Sequence, residues 1–293
     1  MAYWQKAGFI FSLGLIVGVF SVGGFSVNQP AFLSPLSSSS EDTSVPLQIV
    51  IPAGTIQAQV IEIPRVPSTK PEVEPKTNNQ LKGEYKIALL GDSMIDTAGP
   101  GFPALQQELS RYFPAAAFQI FNYGAGATNL EFGLHRLNND YQYLGQTIPA
   151  LFSVQPDIII IESMAYNHGS QSQEDLDKQW LTLGKIVETV RNNSHAKLIF
   201  LATIAPNSKL FAGNIEGLNL SANDRADQAK TVKLYLNNFI NFAHSQNIPL
   251  INVYEASLSP DGEGNSRYIS HDGLHPSVAG HELTAKLILN YFR

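Results

Sequence analysis

The chain contains no cysteine. Disulfides, thiolate nucleophiles, cysteine-ligated metals and a lipid-modified N-terminal cysteine are therefore excluded. Charged residues make up only 15% of the 293 residues, and the formal net charge is −6. No cluster of Lys and Arg occurs, so we expect no nucleic-acid partner. The hydrophobic fraction of 44% is typical of a globular protein.

Several functional motifs are absent as well. No His-Glu-x-x-His or comparable ligand set occurs, so we expect neither a metal nor another cofactor. The Gly/Pro-rich stretch "TAGPGFP" (97–103) lacks the Gly-x-x-x-x-Gly-Lys-Ser/Thr pattern that binds phosphates. The Gly-x-Ser-x-Gly elbow of α/β-hydrolases does not fit either, since Ile95 lies two residues after Ser93.

Charge is missing altogether between Ala7 and Ser40. Residues 7–27 are mostly apolar and about as long as the roughly 20 residues that cross a membrane. We predict a transmembrane signal anchor there, with residues 1–6 as a cytoplasmic stub and the rest of the chain outside the cytoplasm. A cleaved signal peptide is the alternative, and it would make the protein secreted.

Residues 28–83 hold eight of the 17 prolines and a run of four serines at 37–40. Proline at this density disfavours helices and central strands, so we predict a linker. We predict that residues 84–293 form one domain.

The domain alternates short apolar runs with helical patterns. The runs at 86–90, 118–124, 157–163, 197–203 and 248–254 resemble strands that are covered on both faces. Apolar residues recur with helical spacing in three segments between and after them, with predicted buried faces at Leu176/Trp180/Leu183/Val187/Val190, Val232/Leu236/Phe239/Ile240/Ala243 and Leu283/Leu287/Tyr291. We therefore predict an α/β fold, a three-layer α/β/α sandwich around a five-stranded, mostly parallel sheet.

Small and polar residues follow the predicted strands. They are Ser93 in "GDSM", Gly124 in "NYGAG", Asn167 in "AYNH", and Asp272 and His275 in "DGLHPS". Acyl transfer needs a nucleophile, a base, a group that orients the base, and donors for the oxyanion. A serine, a histidine with an aspartate three residues before it, a glycine amide and an asparagine amide meet that need.

These four blocks resemble those of the SGNH (GDSL) hydrolase family, and the resemblance covers about residues 85–293. It implies Ser93 as the nucleophile and His275 as the base, oriented by Asp272. It also implies that the Ser93 amide, the Gly124 amide and the Asn167 side chain bind the oxyanion. The asparagine block departs from the usual Gly-x-Asn-Asp, because Ala165 and His168 replace its glycine and aspartate.

Other polar and aromatic residues near these blocks have structural interpretations. Asp92 is expected to organise its turn through side-chain to backbone bonds, and Glu162 to support the loop to Asn167. Asn129 and Arg136 follow the glycine block and could contact substrate, but a position on a helix surface is the favoured prediction. The aromatic residues Phe132, Tyr141, Tyr143 and Phe152 are predicted to be core. The long polar connection at 205–228 is expected to shape the substrate pocket.

The resulting hypothesis is a serine esterase that removes an acyl group, for which acetyl is a candidate, from a small-molecule or carbohydrate ester of the cell envelope or extracellular space. An O-acyltransferase that uses the same residues is one alternative. A non-catalytic surface binding module on the same fold is the other.

Overall fold

The structure, a computed structural model, describes Leu81 and residues 83–293. The predicted membrane anchor at 7–27, and the predicted linker apart from Leu81 and Gly83, lie outside the described residues. Within the part of the chain that is described, no helix combines the length and apolar character needed to cross a membrane.

Strands and helices alternate along most of the domain. The strands are β1 (Gly83–Gly91), β2 (Ala116–Gly124), β3 (Tyr141–Tyr143), β4 (Gln146–Ile148), β5 (Ile158–Glu162), β6 (Lys197–Ala202) and β7 (Leu250–Asn252). The α-helices are α1 (Ser93–Asp96), α2 (Pro103–Tyr112), α3 (Leu130–Asn138), α4 (Gln173–Asn193), α5 (Ala222–Ser245), α6 (Val253–Ala256) and α7 (Val278–Phe292).

Five strands form one parallel sheet in the order β2-β1-β5-β6-β7. In its register, Ile87 lies beside Ile120 of β2 and Ile158 of β5. Strand β5, with the sequence IIIIE, is buried along its whole length because both faces of the sheet are covered. The predicted fold class is confirmed, and all five strands are parallel to their neighbours.

The helices cover the two faces of the sheet. Helix α2 contacts α7, while α4 contacts both α3 and α5. The chain moves from β1 to β2 in one direction across the sheet and from β2 to β5, β6 and β7 in the other. Right-handed crossovers in opposite directions place these two groups of helices on opposite faces. The sheet is thus the middle of three layers.

The order of the strands fixes where a site can form. Connections leave β1 and β2 toward opposite sides of the sheet, so the switch point lies between β1 and β5. In open parallel sheets, the crevice beyond the carboxyl ends of the strands at such a point is the usual binding position.

Some predicted details were wrong. Strand β7 spans 250–252 rather than 248–254, because helix α6 already begins at Val253. The buried side of α7 is formed by Thr284, Ala285, Ile288 and Leu289, whereas the predicted face is only half-buried. This helix carries apolar residues on most sides, so their spacing does not single out one face.

The antiparallel hairpin of β3 and β4 was not predicted. Its two-residue turn is Leu144-Gly145, with φ of 49° and 76°. Asn-Gly and Asp-Gly are the usual sequence signals of such turns, and neither occurs here.

Candidate active site

The predicted nucleophile lies on a tight turn after β1. The strand ends at Gly91, Asp92 caps the short helix α1, and Ser93 is its first residue. Asp92 Oδ1 accepts a hydrogen bond of 2.8 Å from the Met94 amide. The predicted side-chain to backbone bond of Asp92 is therefore confirmed. It holds Ser93 at the carboxyl end of the sheet, where only 6% of the residue is exposed.

His275 and Asp272 lie together in the loop before α7. The distance from His275 Nδ1 to Asp272 Oδ2 is 2.7 Å. Asp272 Oδ1 accepts from the Ser270 hydroxyl and from the amides of Leu274 and His275. Burial alone would raise the pKa of Asp272, but the bond and charge of His275, with the Ser270 and Leu274 bonds, hold it well below its usual range. The ionised carboxylate keeps a proton on Nδ1 and leaves Nε2 as the basic nitrogen.

The serine and the histidine are not yet joined by a hydrogen bond. Within residues 83–293, none connects the Ser93 hydroxyl to the His275 imidazole. In ligand-free enzymes such bonds are often long and tighten only when substrate is bound.

Asn167 is held beside the serine turn by a side chain of that turn. After β5, a 3-10 helix spans Ala165–Asn167, and Asn167 Nδ2 donates to Asp92 Oδ2 over 2.8 Å. The amide nitrogen carries two hydrogens, so this bond leaves one for another acceptor. Ala165, the departure from the usual glycine, is fully buried at the start of this helix.

Asp92 and Glu162 form a buried pair of carboxyl groups beneath the site. Both residues are 0% exposed. Glu162 Oε1 accepts from the Ser163 hydroxyl (2.6 Å) and the Met164 amide (2.9 Å), and Oε2 accepts from the Asp92 amide (3.4 Å). Burial, together with the Asp92 charge, raises the pKa of Glu162 well above its usual value. Glu162 therefore supports the loop to Asn167, as predicted.

Gly124 ends β2 and packs against the backbone of α1. A Cβ added at Gly124 would lie 2.2 Å from the Asp96 nitrogen, so only glycine fits this approach. The Gly124 amide, predicted as an oxyanion donor, is bonded to Asn122 Oδ1 over 2.8 Å. Asn122 Nδ2 in turn donates to the carbonyls of Ile95 and Gly99. The amide is at the site, and Asn122 is its acceptor in this structure.

Sequence reasoning missed a second link on the glycine segment. The Gly126 amide donates to the Tyr143 hydroxyl, and that hydroxyl donates to Asp96 Oδ2, both over 2.8 Å. Tyr143 is half-buried: it packs against the core, as predicted, and it also lines the pocket beside the site. The link through Gly126 could have been suspected from the sequence, because Gly126 is the second glycine of "NYGAGATN". The part played by Tyr143 could not, because the hairpin that carries Tyr143 was not predicted.

Arg136 was predicted on a helix surface, and this was wrong. It is 0% exposed, and its guanidinium donates to the carbonyls of Tyr123 (2.7 Å) and Gly91 (3.0 Å). The charge also lies over the rings of Phe132 and Tyr141, with centroids 5.3 and 5.5 Å away. Arg136 thus ties together the carboxyl ends of β1 and β2. Asn129, by contrast, caps α3 and is exposed as predicted.

The other histidines near the site lie apart from the His275–Asp272 pair. Burial lowers the pKa of His168, whose Nδ1 is 2.7 Å from the Gly169 carbonyl. Burial, together with the His275 charge, lowers the pKa of His281 on α7 to about 4. His271 is exposed in the loop. In the described part of the chain, no three His, Cys, Asp or Glu side chains are grouped as metal ligands would be.

A pocket of about 750 Å³ opens beside Gly124, Asp272 and His275. One wall is the β3–β4 hairpin, which contributes Tyr141, Tyr143, Leu144, Gln146 and Ile148. The facing wall comes from the connection at 205–228, through Asn214, Ile215, Glu216 and Leu218. This connection does border the pocket, as the sequence predicted.

The comparison with protein families agrees with this geometry. The family model described as "GDSL-like Lipase/Acylhydrolase family" matches residues 89–283. The chain belongs to this family. It is accordingly a GDSL-type hydrolase acting on ester bonds, and the family assignment drawn from its four sequence blocks is confirmed. No curated protein matches the sequence closely enough to add a relative.

Several solved structures share the fold. The lipase/acylhydrolase from Enterococcus faecalis is 22% identical with a TM-score of 0.51, covering 71% of this chain and 95% of that one. The acetyl xylan esterase AlAXEase is 16% identical with a TM-score of 0.50, covering 71% and 100%. A mutant of the acetylxylan esterase Axe2 from Geobacillus stearothermophilus is 17% identical with a TM-score of 0.50, covering 72% and 94%.

Proposed function

We propose that this GDSL-type hydrolase is a serine esterase in which Ser93 is the nucleophile, His275 the general base and Asp272 the residue that orients it. The observation that carries the proposal is the 2.7 Å bond between His275 Nδ1 and Asp272 Oδ2. It fixes the tautomer that a base needs, in a loop that borders the same pocket as Gly124.

The chemistry proceeds in two acyl transfers. His275 Nε2 takes the proton of the Ser93 hydroxyl while Oγ forms a bond to the ester carbonyl carbon. The tetrahedral intermediate then collapses, the bond to the alcohol oxygen breaks, and His275 returns the proton to that oxygen. Water repeats the sequence on the acyl-serine and releases the acid.

The oxyanion is bound by the Ser93 amide, the Asn167 side chain and the Gly124 amide. Two of these donors support the proposal directly. Among the described residues, the Ser93 amide has no acceptor, and Asn167 retains one hydrogen beyond its bond to Asp92. Gly124 has to exchange its bond to Asn122 for one to the substrate.

The experiment compares ester turnover and fluorophosphonate labelling of the full chain with those of Ser93→Ala. The variant deletes one hydroxyl, and we expect turnover to fall by about 10⁴-fold or more with an unchanged circular dichroism spectrum. Ser266→Ala, at an exposed serine outside the site, is the matched control and should behave as wild type. Turnover by Ser93→Ala at the wild-type rate would overturn the assignment.

The acetyl ester of a carbohydrate stays a candidate substrate. Two structural neighbours are described as acetylxylan esterases, but their likeness to this chain extends only to the fold. We also propose, on the sequence alone, that residues 7–27 anchor the enzyme with its catalytic domain outside the cytoplasm. Fractionation of cells that express the full chain or a form lacking 7–27 tests this, and an unchanged distribution would contradict it.

A further inference from the structure

Apolar side chains form much of the walls of the pocket beside the proposed catalytic residues. Leu144 and Ile148 come from the hairpin, and Ile215 and Leu218 come from the facing connection. Leu274, next to His275, adds a fifth apolar side chain close to the catalytic pair. A cavity of about 750 Å³ is the size that holds a drug-sized ligand, and an acetyl methyl group would leave most of it empty.

Leu144 has an unfavourable backbone conformation and an unfavourable exposure to solvent. It has a φ of 49° in a turn position that favours Gly, Asn or Asp, and its side chain is 53% exposed. Both features are unfavourable for folding, because the backbone is strained and apolar surface meets water. A ligand with an apolar part that covers Leu144 would account for the exposed apolar surface.

The two walls are fixed to the catalytic residues rather than loosely attached. The hairpin is held by the bond from the Tyr143 hydroxyl to Asp96 Oδ2. The facing wall is held by Asn214, whose side chain donates to the His271 carbonyl and whose amide donates to the Asp272 carbonyl. A pocket with anchored walls is preformed, so a chain that fills it binds without first ordering it.

The charges in the pocket further limit the ligand. The charged or titratable acids that line it are Asp96, Glu216 and Asp272, and His275 is the one basic group among the described lining residues. No Lys or Arg lines it in the described part of the chain. An anionic substrate group would meet repulsion here, whereas a neutral one would not.

We propose that this pocket binds a hydrocarbon chain of several carbons that belongs to a neutral ester, with Leu144 and the facing Ile215 and Leu218 covering the chain. This inference rests on the proposed esterase function, since it names the substrate class of that same site. It distinguishes the protein from an enzyme selective for acetyl groups.

The test measures kcat/KM of the full chain on two series of esters, each below its critical micelle concentration. The first varies the acyl chain from acetyl to dodecanoyl with one aryl alcohol, and the second varies the alkyl alcohol over the same lengths with acetyl. Each methylene that enters the pocket should raise kcat/KM by up to about fourfold. A rise in the first series identifies the chain as acyl, and a rise in the second identifies it as alkyl.

Leu144→Asn separates binding from folding. Asn suits the turn better than Leu, so the variant should unfold at the same or a higher temperature. The ratio of kcat/KM on the best long-chain ester to kcat/KM on the acetyl ester should nevertheless fall about threefold to tenfold. Leu181→Asn, on the outer face of α4 with Leu181 65% exposed, is the matched control and should not change the chain-length profile.

The outcomes keep the two proposals apart. Activity that peaks at the shortest member of both series, or a Leu144→Asn profile identical to wild type, would overturn the hydrocarbon pocket and leave the esterase standing. No turnover of any ester, with no fluorophosphonate labelling of the folded wild type, would overturn the esterase itself.

Discussion

The floor and the walls of the site are built differently. The floor consists of the residues at the carboxyl ends of β1 and β5, together with Asp272 and His275 from the loop before α7. Two of its carboxyl groups, Asp92 and Glu162, are 0% exposed. The walls are the β3–β4 hairpin and residues 214–218, and the hairpin leaves Leu144 53% exposed. The carboxyl groups of the floor each accept several hydrogen bonds, whereas the walls meet solvent and are held at a few points.

This difference assigns separate tasks to the two regions. Reacting groups need fixed geometry, which the buried bonds of the floor supply. Substrate choice needs surface that can vary without disturbing those bonds, and loops and short hairpins supply it. Substitutions in the floor should therefore change kcat for every ester, whereas substitutions in the walls should change the preference among esters.

Among the substitutions that compare the floor with the walls, the largest effect is expected from Asp272→Asn. Asn can still accept the bonds from Ser270, Leu274 and the His275 amide, but its amide nitrogen then faces His275 Nδ1. The imidazole proton moves to Nε2, the wrong tautomer for a base, and kcat should fall by about 10³–10⁴-fold for all esters. Steady-state kinetics on a short and a long ester measure this.

The control for Asp272→Asn is Glu216→Gln, which makes the same change from acid to amide in the wall. It should leave kcat within a few-fold of wild type. A loss of kcat at Glu216 as large as that at Asp272 would break the division between floor and walls.

An intermediate effect is expected from Asn167→Ala. Removing one oxyanion donor typically lowers kcat by about 10²–10³-fold, with little change in KM. The matched wall variant is Asn214→Ala, which removes the bond to the His271 carbonyl. That variant should shift the chain-length profile with a less than tenfold loss in kcat, and equal losses at both asparagines would contradict the account.

The smallest effect concerns stability and arises from Glu162→Gln. Because burial raises the pKa of Glu162 above the usual 4.5, the unfolded chain releases this proton at lower pH than the folded chain. The free energy of unfolding of the wild type should therefore fall as the pH rises above 4.5, by up to about 1.4 kcal/mol per pH unit from this group.

Glutamine cannot titrate, so Glu162→Gln should lose this slope and gain stability relative to wild type as the pH rises. Urea unfolding at several pH values measures it. Glu188→Gln, at an exposed position of α4, should unfold in parallel with wild type. A Glu162→Gln curve parallel to wild type would mean that Glu162 is ionised in the folded protein.

The sequence predicted the floor well for a physical reason. Buried strands such as β5 and strand ends such as Gly91-Asp92-Ser93 leave short local patterns, because burial and tight turns restrict the residues that fit. Asp272 and His275 are three residues apart, so their hydrogen bond could be expected from spacing alone. The bond between Asp92 and Asn167 could not, because 75 positions separate them.

The hairpin wall and the burial of Arg136 were not predicted, because neither leaves a local sequence pattern. The hairpin turn Leu144-Gly145 carries an atypical first residue, so no local pattern marks it. Arg136 is buried because the carbonyls of Gly91 and Tyr123 converge on it, and that convergence exists only once β1 and β2 are paired. The Gly124 amide is bonded to the Asn122 side chain in the folded protein, and the sequence alone did not predict this bond.

The central claim is that Ser93, at the end of β1, is the group that is acylated. The most direct test treats the full chain with a fluorophosphonate and locates the adduct by peptide mass spectrometry. We expect one adduct, on the peptide that contains Ser93, with loss of ester turnover in proportion to labelling. An adduct on another residue, or complete inhibition with Ser93 unmodified, would contradict it.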